Sequence, residues 1–80
     1  MKISILFFGI TTDLVGENSI LYSIPESISI TELKELLKSD YPNLKNINDF
    51  AIAVNEEYAN DSFIINDNDI VAIIPPVSGG

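Results

Sequence analysis

The chain has 80 residues, of which 46% are apolar, and no cysteine, histidine or arginine. Four lysines face twelve carboxylates, for a formal charge of −8. Such a chain builds one core, excludes disulfides and thiol chemistry, lacks the commonest metal ligand, and would be repelled by nucleic acid.

Met1-Lys2 followed by the apolar run Ile3–Ile10 imitates the opening of a secretory signal, but the run is short and no small-residue cleavage site follows it. It reads instead as a buried strand over Lys2–Phe8, with Ile3, Ile5 and Phe7 on one face and Ser4, Leu6 and Phe8 on the other. After a short stretch at Thr11–Val15, Gly16-Glu17-Asn18 is expected as a turn and Ser19–Ile24 as a second strand closing a hairpin-like pair before Pro25.

Ser29-Ile30-Thr31-Glu32 has capping-box spacing and predicts a helix start. Leu33, Leu36, Leu37 and Tyr41 form its apolar stripe, the charged residues including Lys34 and Lys38 lie mostly elsewhere on its surface, and Pro42 stops it. Phe50–Val54 is predicted as a third strand, Asn55-Glu56-Glu57 as a turn, and Tyr58-Ala59 as a short edge piece. The polar turn Asn66–Asp69 leads into a last, buried strand over Ile70–Ile74.

The order ββαββ predicts an α+β roll of the β-grasp kind: a mixed sheet of four to five strands, one main helix on one face, and the first and last strands parallel neighbours. Residues 1–74 are expected as the domain and 75–80 as its extended tail. Glu56-Glu57 and the pair Asp67, Asp69 are turn residues rather than catalytic or calcium-binding carboxylates. No catalytic side chain, bound metal or bound cofactor is expected.

The C-terminus differs in kind. Pro75-Pro76 ends sheet pairing and launches a stiff spacer, and the six residues to Gly80 span roughly 20 Å when extended. Gly79 and Gly80 form a tip without side chains.

The ending Ile74-Pro75-Pro76-Val77-Ser78-Gly79-Gly80 resembles that of the small subunit of molybdopterin synthase, a ubiquitin-like sulfur carrier. Leu6-Phe7-Phe8-Gly9, Leu14-Val15-Gly16, Val54-Asn55 and Asp67-Asn68-Asp69 extend the resemblance over nearly the whole chain. It departs from the family pattern at Thr11-Thr12-Asp13, where an arginine is usual, which puts contact between that segment and the activating enzyme in question, and at Asn68, where a glycine is usual.

The resemblance implies a non-catalytic, cytoplasmic carrier whose C-terminal Gly80 is adenylated at the expense of ATP by an E1-like enzyme. A sulfur donor would then convert it to a thiocarboxylate, which donates sulfur to a pterin precursor in the large subunit, within a heterotetramer. Partner contact would run through Gly79, Ser78, Val77, Pro76, Pro75, Ile74, Phe8, Leu6 and Tyr58. If Ile5, Phe7, Val71 and Ile73 face the helix, then Leu6, Phe8, Ala72 and Ile74 form an exposed apolar patch beside the tail root. Alternatives are a carrier for thiamine thiazole, tRNA thiolation or a tungsten pterin, and a ubiquitin-like protein modifier.

Overall fold

The computed structural model describes residues 1–47 and 50–76. Strand β1 (Lys2–Phe7) is followed by helix α1 (Ile10–Val15) and strand β2 (Ser19–Ser23). Next come β3 (Ile28–Ser29), the main helix α2 (Ile30–Asp40) and a 3-10 turn (Pro42–Asn46). Strands β4 (Ala51–Val54), β5 (Glu57–Tyr58), β6 (Ile64–Ile65) and β7 (Ile70–Ile74) complete the chain order.

The main sheet runs β2-β1-β7-β4-β5, and β3 pairs with β6 in a second, two-stranded sheet. The first and last strands are parallel neighbours in the register Ile5↔Val71 and Phe7↔Ile73, as the β-grasp reading requires. All other pairings are antiparallel.

Helix α2 begins where its capping box predicts. The Ser29 hydroxyl accepts from the Glu32 amide at 3.2 Å, and the Glu32 carboxylate accepts from the Ser29 amide at 3.2 Å. It ends at Asp40, and Pro42 opens the 3-10 turn. Leu33 and Leu37 are fully enclosed against Ile3, Ile5, Val71 and Ile73, while Leu36 and Tyr41 pack at the margin. The Tyr41 ring meets Phe7 edge-on at 6.3 Å.

Four details depart from the sequence reading. Thr11–Val15, to which the sequence assigned no element, is the body of α1, whose single turn and a half is too short to show helical periodicity. The pair β3–β6 consists of two-residue strands, below the length at which alternation can be seen. Ile70–Ile74 is not buried throughout, since Ile70 is 50% exposed. Lys34 and Lys38 are not simply surface charges: their ammonium groups lie 5.7 and 5.9 Å from the centre of the Phe50 ring.

The turns explain several residues of the resemblance. Asn55 and Glu56 carry φ of 51° and 73°, a left-handed pair that closes the β4–β5 hairpin between Val54 and Glu57. The Asn55 side chain donates to Asp69 Oδ1 at 3.1 Å and accepts from the Ile70 amide at 3.0 Å. Asp67 Oδ1 accepts from the Lys2 amide, and Asp69 Oδ2 from the Asn66 amide, both at 2.8 Å. Asn68 stands in the left-handed region at φ 69°, which is the conformation a glycine would supply there. These carboxylates therefore lock turns and stitch the start of β7 to β1 and β4.

Candidate functional site

Strand parity sorts the sheet into two faces. Ile3, Ile5, Phe7, Ile52, Val54, Val71 and Ile73 point inward and are buried. The opposite parity carries Leu6 on β1, Ile70, Ala72 and Ile74 on β7, and Ala51 and Ala53 on β4. The register Leu6↔Ala72, Ala72↔Ala53 and Ala53↔Tyr58 lines these residues across four strands of one face.

Exposed aromatic residues flank the floor of small residues, Ala72 and Ala53, on that line. Phe8 is 49% exposed on one side and Tyr58 76% on the other. Leu6, Phe8, Asn55, Glu56, Ile70 and Ala72 line a single shallow groove. The predicted apolar patch is thus present, and Leu6, Phe8, Ala72, Ile74 and Tyr58 share the face expected of them. Ile70 and Leu21, the latter 67% exposed and opposite Ser4, extend it and were not anticipated. Counting by twos back from Ala72 and across the hairpin from Ser4 would have found both.

Strand β7, flanked on both sides, delivers its end to this face. Ile74 still pairs with Ala51; Pro75 is half-buried and Pro76 exposed. Gly9 determines how Pro75 sits. It has φ 54° and ψ −137°, a region essentially restricted to glycine, and a Cβ there would lie 3.0 Å from Pro75 Cγ. The root of the tail is therefore seated on the residue that ends Leu6-Phe7-Phe8-Gly9, a role that short motif by itself does not disclose.

Just beyond Gly9, Thr11 is the one fully buried polar side chain among the described residues. Its hydroxyl donates to the Phe8 carbonyl and accepts from the Phe8 amide, closing the first turn of α1. Thr12, at the segment where the family usually has an arginine, donates its hydroxyl to the Phe7 carbonyl at 3.2 Å. Both threonines hold the end of β1 beside the root of the tail.

On the other side of the root, an open groove of about 630 Å³ is lined by Lys34, Asn46, Ile47, Phe50, Ala51 and the segment Ile74-Pro75-Pro76. Lys34 also reaches Asp61 at 3.7 Å. The exit of β7 thus lies between an apolar sheet face and a groove with a cation at its wall. The sequence-predicted residues Val77, Ser78, Gly79 and Gly80 lie outside the described residues.

Among the described residues every buried side-chain nitrogen and oxygen has a hydrogen-bond partner, and no three histidine, cysteine or acidic residues are grouped as a metal site. No helix is long and apolar enough to cross a membrane among those residues. The titration that the fold perturbs is that of Tyr22: burial, aided by the hydrogen bond it donates to the Asp40 carboxylate, pushes its phenol above the ordinary value of 10.0. This link ties β2 to the end of α2, away from the tail.

Residues 5–80 match the model of the ThiS family. A molybdopterin synthase sulfur carrier subunit of Caenorhabditis elegans is 36% identical over 83 residues, spanning 100% of this chain and 99% of that protein. One of Dictyostelium discoideum is 40% identical over 84 residues, spanning 99% and 96%.

Among solved structures, a chain of the complex of subunits 1 and 2 of the molybdopterin-converting factor from Helicobacter pylori 26695 superposes with a TM-score of 0.68 at 27% identity, over 100% of both chains. SAMP1 from Haloferax volcanii superposes at 0.84 with 18% identity, again over 100% of both, a likeness of fold alone.

Proposed function

The chain belongs to the ThiS family, and from that premise we propose that it is the sulfur carrier of molybdopterin synthesis, working through its C-terminal Gly80. The observation that carries this reading is the junction at Ile74-Pro75, where a central strand ends beside an exposed apolar face and hands over to a family-matched ending. The relatives' shared name, molybdopterin synthase sulfur carrier subunit, favours the molybdenum pathway over the other carriers.

The chemistry follows from the poor electrophilicity of a carboxylate. In a cytosolic E1-like partner, a Gly80 carboxylate oxygen attacks the α-phosphate of ATP, forming an acyl-adenylate and releasing pyrophosphate. A sulfur donor then displaces AMP at the acyl carbon and leaves a thiocarboxylate. The large synthase subunit, the counterpart of the second subunit in the Helicobacter pylori complex, receives this end and draws the sulfur onto the pterin precursor. Two carriers on a dimer of that subunit form the heterotetramer.

The parts of this chain have separable duties. Residues 75–80 form the reaching tail: Pro75 and Pro76 aim it, and Val77 and Ser78 pass through the partner's channel. Gly79 and Gly80 present the reacting end without side-chain obstruction. Leu6, Phe8, Ile74 and Tyr58 dock the body, aided by the negative charge that steers it to basic partner surfaces.

Intact-protein mass spectrometry tests the reading. Co-expression with the activating enzyme and a sulfur donor should replace one oxygen by sulfur, localised to Gly80. Deleting Gly80 should abolish the exchange with the melting temperature nearly unchanged. A terminus that stays fully oxygenated under those conditions sinks the proposal, and a ladder of lysine conjugates would redirect it toward a protein modifier.

A further inference from the structure

The end strand β2 has a hydrogen-bonding phase that its pairing with β1 determines. The Ile24 amide donates to the Met1 carbonyl at 2.8 Å, the Met1 amine donates back to Ile24 O at 3.1 Å, and the Phe7 amide donates to Asn18 O at 2.8 Å. Antiparallel pairs alternate with period two, so Ile20 and Tyr22 also turn their backbone groups toward β1. Ser19, Leu21 and Ser23 therefore turn theirs toward the open edge of the sheet.

That edge has none of the devices that blunt one. Ser19–Ile24 contains no charge and no proline, in a chain of net charge −8. Its register against β1 runs unbroken from Lys2↔Ser23 to Leu6↔Ser19, so no bulge bends it away. Ser-Ile-Leu-Tyr-Ser also has the same pattern of small polar and large apolar residues read in either direction, with Leu21 at its centre.

An edge whose outward backbone groups lie symmetrically about one residue complements a two-fold copy of itself. We propose that β2 is a self-association edge, on which two copies of the chain pair antiparallel with Leu21 opposite the partner's Leu21. Ser19 then lies opposite the partner's Ser23, and Ile20 opposite the partner's Tyr22. The Leu21 pair and the two symmetry-related Ser19–Ser23 pairs are the hydrogen-bonded ones and exchange about six bonds, while Ile20 and Tyr22 meet as non-hydrogen-bonded pairs. The two main sheets become one of ten strands, and Leu21, otherwise 67% exposed, packs against its twin.

Glu17 and Glu26 fall beyond the paired run, so no like charges meet within it. Strand β1 separates β7, and with it Pro75 and Pro76, from the seam. The proposal rests on the sheet edge alone and is independent of sulfur carriage. A five-residue seam buries less than the ~1,200 Å² that marks stable complexes, and two bodies of charge −8 repel, so the dimer forms at high concentration. Salt strengthens it, because the screening length falls from about 10 Å at 0.1 M to about 3 Å at 1 M.

Amide-resolved NMR of the full chain, diluted from millimolar to low micromolar, tests this alongside sedimentation. At high concentration the mass should double and the amides of Ser19, Leu21 and Ser23 should gain exchange protection, with Ile20 and Tyr22 protected throughout. Leu21→Pro removes the central outward donor without touching the β1 ladder, and Leu21→Lys sets two cations face to face at an exposed site. Both should leave a folded monomer. A monomer at millimolar concentration and high salt overturns the proposal. So does a dimer protected at other amides, one indifferent to both substitutions, or an edge that is protected only when the large synthase subunit is added.

Discussion

Ile5 and Leu6 are neighbours in one strand and comparably apolar, yet Ile5 is completely enclosed while Leu6 remains partly open to solvent. The same division runs through β7, where Val71 and Ile73 are buried and Ile70 is half-exposed. Its cause is the second layer: Leu33 and Leu37 of α2 join the core on the inner side of the sheet. An apolar side chain is thus core or surface according to which side of the sheet it takes, and the outer set amounts to a contiguous patch of the kind that binds other proteins.

The sharpest way to break this comparison is to truncate both neighbours. Ile5→Ala should cost about 2–5 kcal/mol in urea unfolding, because a fully enclosed side chain leaves a cavity. Leu6→Ala should cost less than about 1 kcal/mol, because its side chain is not enclosed; on the proposed function it weakens large-subunit binding instead. Equal stability losses would refute the division into buried and open faces.

Gly9→Ala strikes the seam between the outer face and the tail. The strained φ and ψ, with the close approach to Pro75, should cost about 1–3 kcal/mol, read as a lowered denaturation midpoint. Ser29→Ala loosens the layer that makes the inner face a core, and loss of the cap should cost about 1 kcal/mol in the same measurement.

Glu56→Gly acts at the rim of the outer groove and should have the opposite sign. Relieving a left-handed glutamate should stabilise the hairpin by about 1 kcal/mol. The smallest effect is that of pH on the β2–α2 link. With the Tyr22 phenol raised in the folded state, the stability tied to its protonated form is complete below pH 10.0 and declines as pH rises above it. Tyr22→Phe should flatten that alkaline slope in unfolding curves.

Much of the molecule was legible before any coordinates. The capping box at Ser29 and Glu32, the stop at Pro42 and the patch around Leu6 and Phe8 follow from local chemistry repeated at a recognisable period, and the parallel pairing of first and last strands from an element order that suits a β-grasp. What escaped was too short or too distant. Six residues of α1 and the two-residue strands β3 and β6 have no measurable period, and Phe50 beneath Lys34 and Lys38 depends on segments that only folding brings together.

By itself, then, the chain determined which residues alternate, where its helix is capped, and that Pro75-Pro76 is followed by small, side-chain-poor residues at Ser78-Gly79-Gly80. Only the tertiary structure decided which side of the sheet α2 covers, that Gly9 must lack a Cβ for Pro75 to sit, and that the turns of Asn55 and Asp69 are bonded to each other. The physical reason is range: periodicity and capping act within a few residues of chain, whereas burial and close approach depend on neighbours distant in sequence, as Gly9 and Pro75 are.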